Sequence, residues 1–104
     1  MWQKAIGIDG EIYDSKSEAN VADWLFGSDI EYEPHKKLPK SRSVSDFYLP
    51  EYDLWVEYDG LMEVRADDKL ERKKAFYEKH GLNFLIITRD NWQRDILERV
   101  ELGG

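Results

Sequence analysis

One stretch constrains this chain more than any other: Asp46 to Gly60, DFYLPEYDLWVEYDG. Its aromatic and β-branched residues favour strands, and Leu49-Pro50-Glu51-Tyr52 interrupts them as a turn does. The simplest antiparallel register closes on Glu51-Tyr52. It sets Phe47 against Val56, Leu49 against Leu54, and Asp46 opposite Glu57. Strand side chains alternate between faces, so Asp46, Glu57 and Asp59 are predicted to converge on one face, together with Tyr48 and Trp55.

Carboxylates facing each other across a strand pair, at Cβ separations of roughly 5 Å, repel and weaken the pairing. A hard divalent cation removes that cost, because Mg²⁺ takes octahedral oxygen coordination from one or two carboxylates plus water and phosphate. A structural alternative stands beside it: Glu57 and Asp59 on a solvated sheet face, with Asp46 capping a turn.

Composition narrows the choice. A chain of 104 residues with 41% hydrophobic and 13% aromatic content has enough material for one modest core, so one domain is expected over residues 1–104. There is no cysteine, which excludes disulfides, thiolate metal sites and cysteine nucleophiles. No apolar run approaches the roughly 20 residues that span a membrane, and Met1-Trp2-Gln3-Lys4 lacks a signal-peptide core. A cytoplasmic, non-secreted protein is expected, with no membrane partner.

The net charge of −7 works against nucleic-acid binding, which rests on cations that neutralise phosphates. The basic residues are clustered, however, at His35, Lys36, Lys37, Lys40 and Arg42, and again at Lys69, Arg72, Lys73 and Lys74. Clustered charge steers a polyanion more than the total does.

In chain order, Lys4 to Tyr13 predicts a small β-hairpin turning at Asp9-Gly10, a decoration within residues 1–14. Ser15 and Glu18 then have capping-box spacing at the head of a helix. Its stripe is Val21, Ala22, Leu25 and Phe26, and Gly27 is its expected stop. Glu18 sits at the head of that stripe, where it serves either as a cap or as a further metal-site carboxylate. Ile30 to Glu33 alternates as a short strand and leads into a basic loop, Pro34 to Ser43.

After Gly60 a loop is expected over Leu61 to Ala66, then a helix over about Asp67 to His80 with Gly81 beyond its end. Leu70, Phe76 and Tyr77 form its inward stripe. Lys73 lies along that stripe and can carry its ammonium to a site at the edge. Asn83 to Thr88 is an apolar run, the mark of a strand covered on both faces. Asp90 or Asn91 caps a last helix through about Val100, with Trp92, Ile96 and Val100 inward, closing residues 89–104. The expected fold is α/β, an α+β sandwich with a mixed sheet flanked by helices on both faces.

The αβββαβ order of residues 15–88, with Asp46 in SDFYLP and Glu57 in WVEYDG, resembles the core of the PD-(D/E)XK nuclease superfamily. The pattern is similar to the restriction-endonuclease-like fold of small very-short-patch-repair-type endonucleases, and Glu18 on the first helix resembles the helix glutamate of Holliday junction resolvases. The resemblance implies a Mg²⁺-dependent endonuclease, with Mn²⁺ as a substitute and no organic cofactor. It implies Asp46, Glu57, Glu18 and Lys73 as catalytic residues, and Asp46, Glu57, Asp59 and Glu18 around the metal. It further implies structured or branched DNA, in preference to RNA, held by Lys36, Lys37, Lys40, Arg42 and Lys69. A homodimer and a phage or mobile-element source fit the same picture. One position departs: the family's lysine, two residues after the second acid, is Asp59 here. Lys73 is the expected replacement, ahead of Lys69 and Lys74; if none reaches the site, the chain is an inactive nuclease-fold domain that binds nucleic acid or protein.

Overall fold

The computed structural model describes residues 4–13, 15–59 and 69–101. The expected turn at Gly60, the 61–66 loop, the helix start at Asp67 and the tail after 101 lie outside them. The elements are β1 (Ala5–Ile6), β2 (Ile12–Tyr13), α1 (Lys16–Gly27), β3 (Glu33–Pro34), β4 (Phe47–Leu49), β5 (Leu54–Tyr58), α2 (Lys69–Lys79), β6 (Phe84–Ile87) and α3 (Trp92–Glu101). Strands β3 to β6 form a mixed sheet in that order, antiparallel except for the parallel β5–β6 pair.

The central hairpin has the register expected from its turn: Phe47 pairs with Val56, Tyr48 with Trp55 and Leu49 with Leu54. Pro50–Tyr52 form a single 3-10 turn, with Pro50 at its start where the missing N–H costs nothing. Asp53 then takes a left-handed conformation (φ 48°), which reverses the chain into β5.

Alternation along these strands divides the packing into two. On one face, Phe47, Leu49, Leu54, Val56 and Ile87 meet Ala19, Val21, Ala22 and Leu25 of α1 and Ile96 of α3. On the other, Trp55 meets Tyr77 of α2 and Leu38, with Tyr48 and Phe84 packed beside them. The fold is thus an α+β domain with one mixed four-stranded sheet and three helices among the described residues.

Several local expectations change. Helix α1 is capped by Ser15, whose hydroxyl accepts from the Glu18 N–H at 3.1 Å, as its spacing predicts. Its left-handed exit residue is Asp29 (φ 61°), not Gly27, which remains helical. Phe26 is exposed rather than part of the buried stripe. The Ile30–Glu33 strand shrinks and shifts to Glu33–Pro34.

The β1–β2 hairpin does more than decorate. Tyr13 is fully buried in the main core, and Asp9 accepts hydrogen bonds from the hydroxyls of both Tyr13 and Tyr32. Gly7 is required there, since a Cβ would sit 2.8 Å from Asp9 and 2.9 Å from the Tyr13 ring. At the end of α2, Gly81 (φ 64°) completes the expected stop: the Leu82 N–H reaches Tyr77 O and the Gly81 N–H reaches Glu78 O. Strand β6 terminates the described sheet and is partly exposed along Phe84, Leu85 and Ile86, so it is less enclosed than its apolar run suggests.

Candidate active site

The site begins with the register of the central hairpin. Continuing it one pair past Phe47–Val56 brings Asp46 opposite Glu57. There the ladder changes character. The Asp46 carboxylate, through Oδ2, accepts the Tyr58 N–H at 2.7 Å, so a side chain satisfies a strand donor. The Asp46 carbonyl accepts the His35 N–H at 3.1 Å, which ties the acid to both neighbouring strands. Asp46 is thereby fixed by main-chain bonds.

Glu57 lies on the α2 face and is 2% exposed. Each of its oxygens has its own donor. Lys73 Nζ donates to Oε1 at 3.0 Å, and the Tyr77 hydroxyl donates to Oε2 at 2.6 Å. Both donors come from α2, four residues apart and hence on one helix face. Lys73 Nζ also donates to the Val44 carbonyl at 2.6 Å.

Burial pushes the Glu57 carboxyl up to about 7, and the nearby Asp46 charge pushes the same way against Lys73 and the Tyr77 hydrogen bond. The Tyr77 hydroxyl is pushed well above its usual range, by burial first and then by Glu57. Tyr77 is therefore a permanent hydrogen-bond donor, locked by stacking on Phe84 at 5.0 Å between ring centres.

The basic segment after β3 is folded against this site. The Ser45 N–H reaches Lys36 O at 2.8 Å, the Leu38 N–H reaches Ser43 O at 2.9 Å, and Lys37 bridges Val44, so the expected loop is a hairpin extension. Leu38 anchors it by packing with Trp55 and Tyr77. Lys37, Lys40 and Arg42 are exposed on it. Lys36 pairs with Glu33 at 3.1 Å and lies over the Tyr48 ring. Lys69 opens α2.

Not every predicted residue joins the cluster. Asp59 lies one residue past β5 and its N–H continues the ladder to Ile87 O at 2.8 Å. Glu18 is on α1, the helix that packs on the opposite sheet face, with its Oε1 shielded from solvent. Among the described residues no group of three His, Asp or Glu side chains is close enough to hold a metal ion. Asp46 and Glu57 form a pair, and two carboxylates are what Mg²⁺ commonly takes from protein, with water and phosphate completing its shell. Burial and, after it, the Asp46 charge push the Glu57 carboxyl up, a cost that a bound cation would relieve.

Sequence reasoning assigned Tyr77 to the core stripe and missed its hydroxyl. The signal was present: a tyrosine in an apolar stripe brings an O–H that needs a buried acceptor. Comparison of the chain with family models, curated proteins and solved structures returned no match.

Proposed function

We propose that this chain is a Mg²⁺-dependent endonuclease with a restriction-endonuclease-like fold, acting on structured or branched DNA. The observation that carries the proposal is the buried Glu57, gripped by Lys73 and Tyr77 with Asp46 beside it. A purely structural ion pair has no need of a second carboxylate that raises the cost of the first. A site that receives a cation does.

Asp46 and Glu57 would hold the ion, while Asp59 lies one residue past β5 and Glu18 on the helix of the opposite sheet face. A bound Mg²⁺ supplies an activated water and charge stabilisation at the phosphate. The chain's own groups do the rest. Tyr77 fixes the Glu57 carboxylate, and Lys73 brings a positive charge to the place where negative charge grows as water oxygen bonds to phosphorus and the P–O ester bond breaks. Lys36, Lys37, Lys40, Arg42 and Lys69 hold backbone phosphates, which position the substrate without reading its sequence.

A second reading is favoured by the Lys73–Glu57 contact itself, which already neutralises the acid: an inactive nuclease-fold domain that binds nucleic acid or protein. The test is cleavage of single-strand, duplex, flap, junction and RNA substrates with Mg²⁺ or Mn²⁺, comparing the wild type with Asp46→Asn. Metal-dependent cleavage by the wild type alone supports the enzyme. Binding without turnover on every substrate leaves the inactive domain.

A further inference from the structure

Behind the acid pair, on the opposite face of the sheet, is a cleft of about 430 Å³ lined by Asn20, Trp24, Tyr58, Arg89, Trp92 and Gln93 among others. Its position is tied to the candidate site by one residue. Tyr58 directly follows Glu57, and its N–H holds the Asp46 carboxylate. Arg89 lies two residues beyond the end of β6. The cleft therefore opens at the carboxyl ends of the two parallel strands, β5 and β6, where α/β sheets commonly place ligands.

Its chemistry is that of an unpaired nucleotide. Trp24 and Trp92 meet edge to face at 5.4 Å between ring centres, and Tyr58 adds a third aromatic surface. Asn20 and Gln93 are exposed amides, each able to donate and accept as the edge of a base requires. Arg89 is exposed and suited to a phosphate. The volume lies within the roughly 300–1,000 Å³ of ligand pockets. A larger cleft of about 710 Å³ is the opposite case. Its lining includes Asp9, Glu11, Asp29, Glu31 and Glu51, five acids that repel a polyanion.

We propose that the Trp24–Tyr58–Arg89 cleft binds an unpaired nucleotide of the substrate strand, so that the preferred substrate carries a single-stranded segment. This rests on the nuclease reading and narrows its substrate. A base within a duplex has its Watson–Crick edge and both faces occupied; only an unstacked one offers its faces to aromatic groups and that edge to amides.

The test is fluorescence anisotropy of an end-labelled single-stranded deoxyoligonucleotide and of a blunt duplex of equal length, both in EDTA. The variants are Arg89→Ala and the double variant Asn20→Ala/Gln93→Ala, all at exposed positions, with circular dichroism as the folding control. The expected result is tighter binding of the single strand, weakened about tenfold in each variant. Equal affinity for the duplex, or variants that bind as the wild type does, overturns the inference. A parallel Mg²⁺ cleavage assay separates the two levels. Single-strand binding through Arg89 with no cleavage retains the cleft and sinks the nuclease; cleavage of flaps with unchanged binding in the variants does the reverse.

Discussion

The two faces of the sheet are built from the same strands and are chemically unlike. The face under α1 and α3 is built mainly of apolar side chains, with Phe47, Leu49, Leu54, Val56, Leu25 and Ile96 all fully buried. The face under α2 buries aromatic rings too, but it also encloses Glu57, Lys73 and the Tyr77 hydroxyl. One face is held mainly by apolar burial; the other buries a carboxylate and gives each of its oxygens a hydrogen-bond donor. The two faces divide the labour. The α1 face holds the sheet together, and the α2 face uses that rigidity to keep a charged group where water would otherwise take it.

The largest effect is expected at the acid pair. Asp46→Asn should reduce metal-dependent cleavage by at least ~100-fold, beyond the loss usual for groups that only support ligands, while circular dichroism stays unchanged. On the other face the cost should fall on stability. Leu25→Ala removes a fully buried side chain and should lower the unfolding free energy by about 2–5 kcal/mol in denaturant titration. Its cleavage rate per folded molecule should remain that of the wild type.

The pH dependence sharpens the contrast. The Glu57 carboxyl titrates near 7 when folded, against an ordinary value of 4.5. Between these values the folded state holds more protons, so this group's contribution is fully present below about pH 4.5 and is lost as pH rises through about 7. In EDTA, the wild type should lose about 3 kcal/mol across that window relative to Glu57→Gln, measured by urea unfolding at each pH. Equal slopes in the two proteins would mean that Glu57 is not a buried carboxyl. The smallest effect belongs to Tyr77→Phe, which keeps the ring stacked on Phe84 and removes one hydrogen bond to Glu57. A loss of about 1–3 kcal/mol is expected at pH 8, and less at pH 5 where Glu57 is protonated.

Much of this architecture was legible in the sequence because local rules carried it. Pro50 set the turn, the turn set the register, and the register set Asp46 against Glu57. Gly81 ended α2 for the same local reason, its freedom at positive φ. Lys73 was legible as a stripe-side lysine, and its ammonium does meet Glu57. What escaped was long-range. The collapse of the basic segment onto Trp55 and Tyr77 depends on Leu38, one apolar residue among polar ones with no periodicity to announce it. The left-handed exit at Asp29 replaced a glycine that local preference favoured. Glu18 kept its cap geometry, but which sheet face its helix covers is decided by packing across the sheet.

The most direct test of the cation site is calorimetric titration of Mn²⁺ into the wild type and Asp46→Asn at pH 8. Saturable binding by the wild type, released by EDTA and lost in Asp46→Asn, is the outcome this account requires. Binding that is absent from the wild type, or unchanged by the substitution, would contradict it and leave the Asp46–Glu57–Lys73 cluster a structural device.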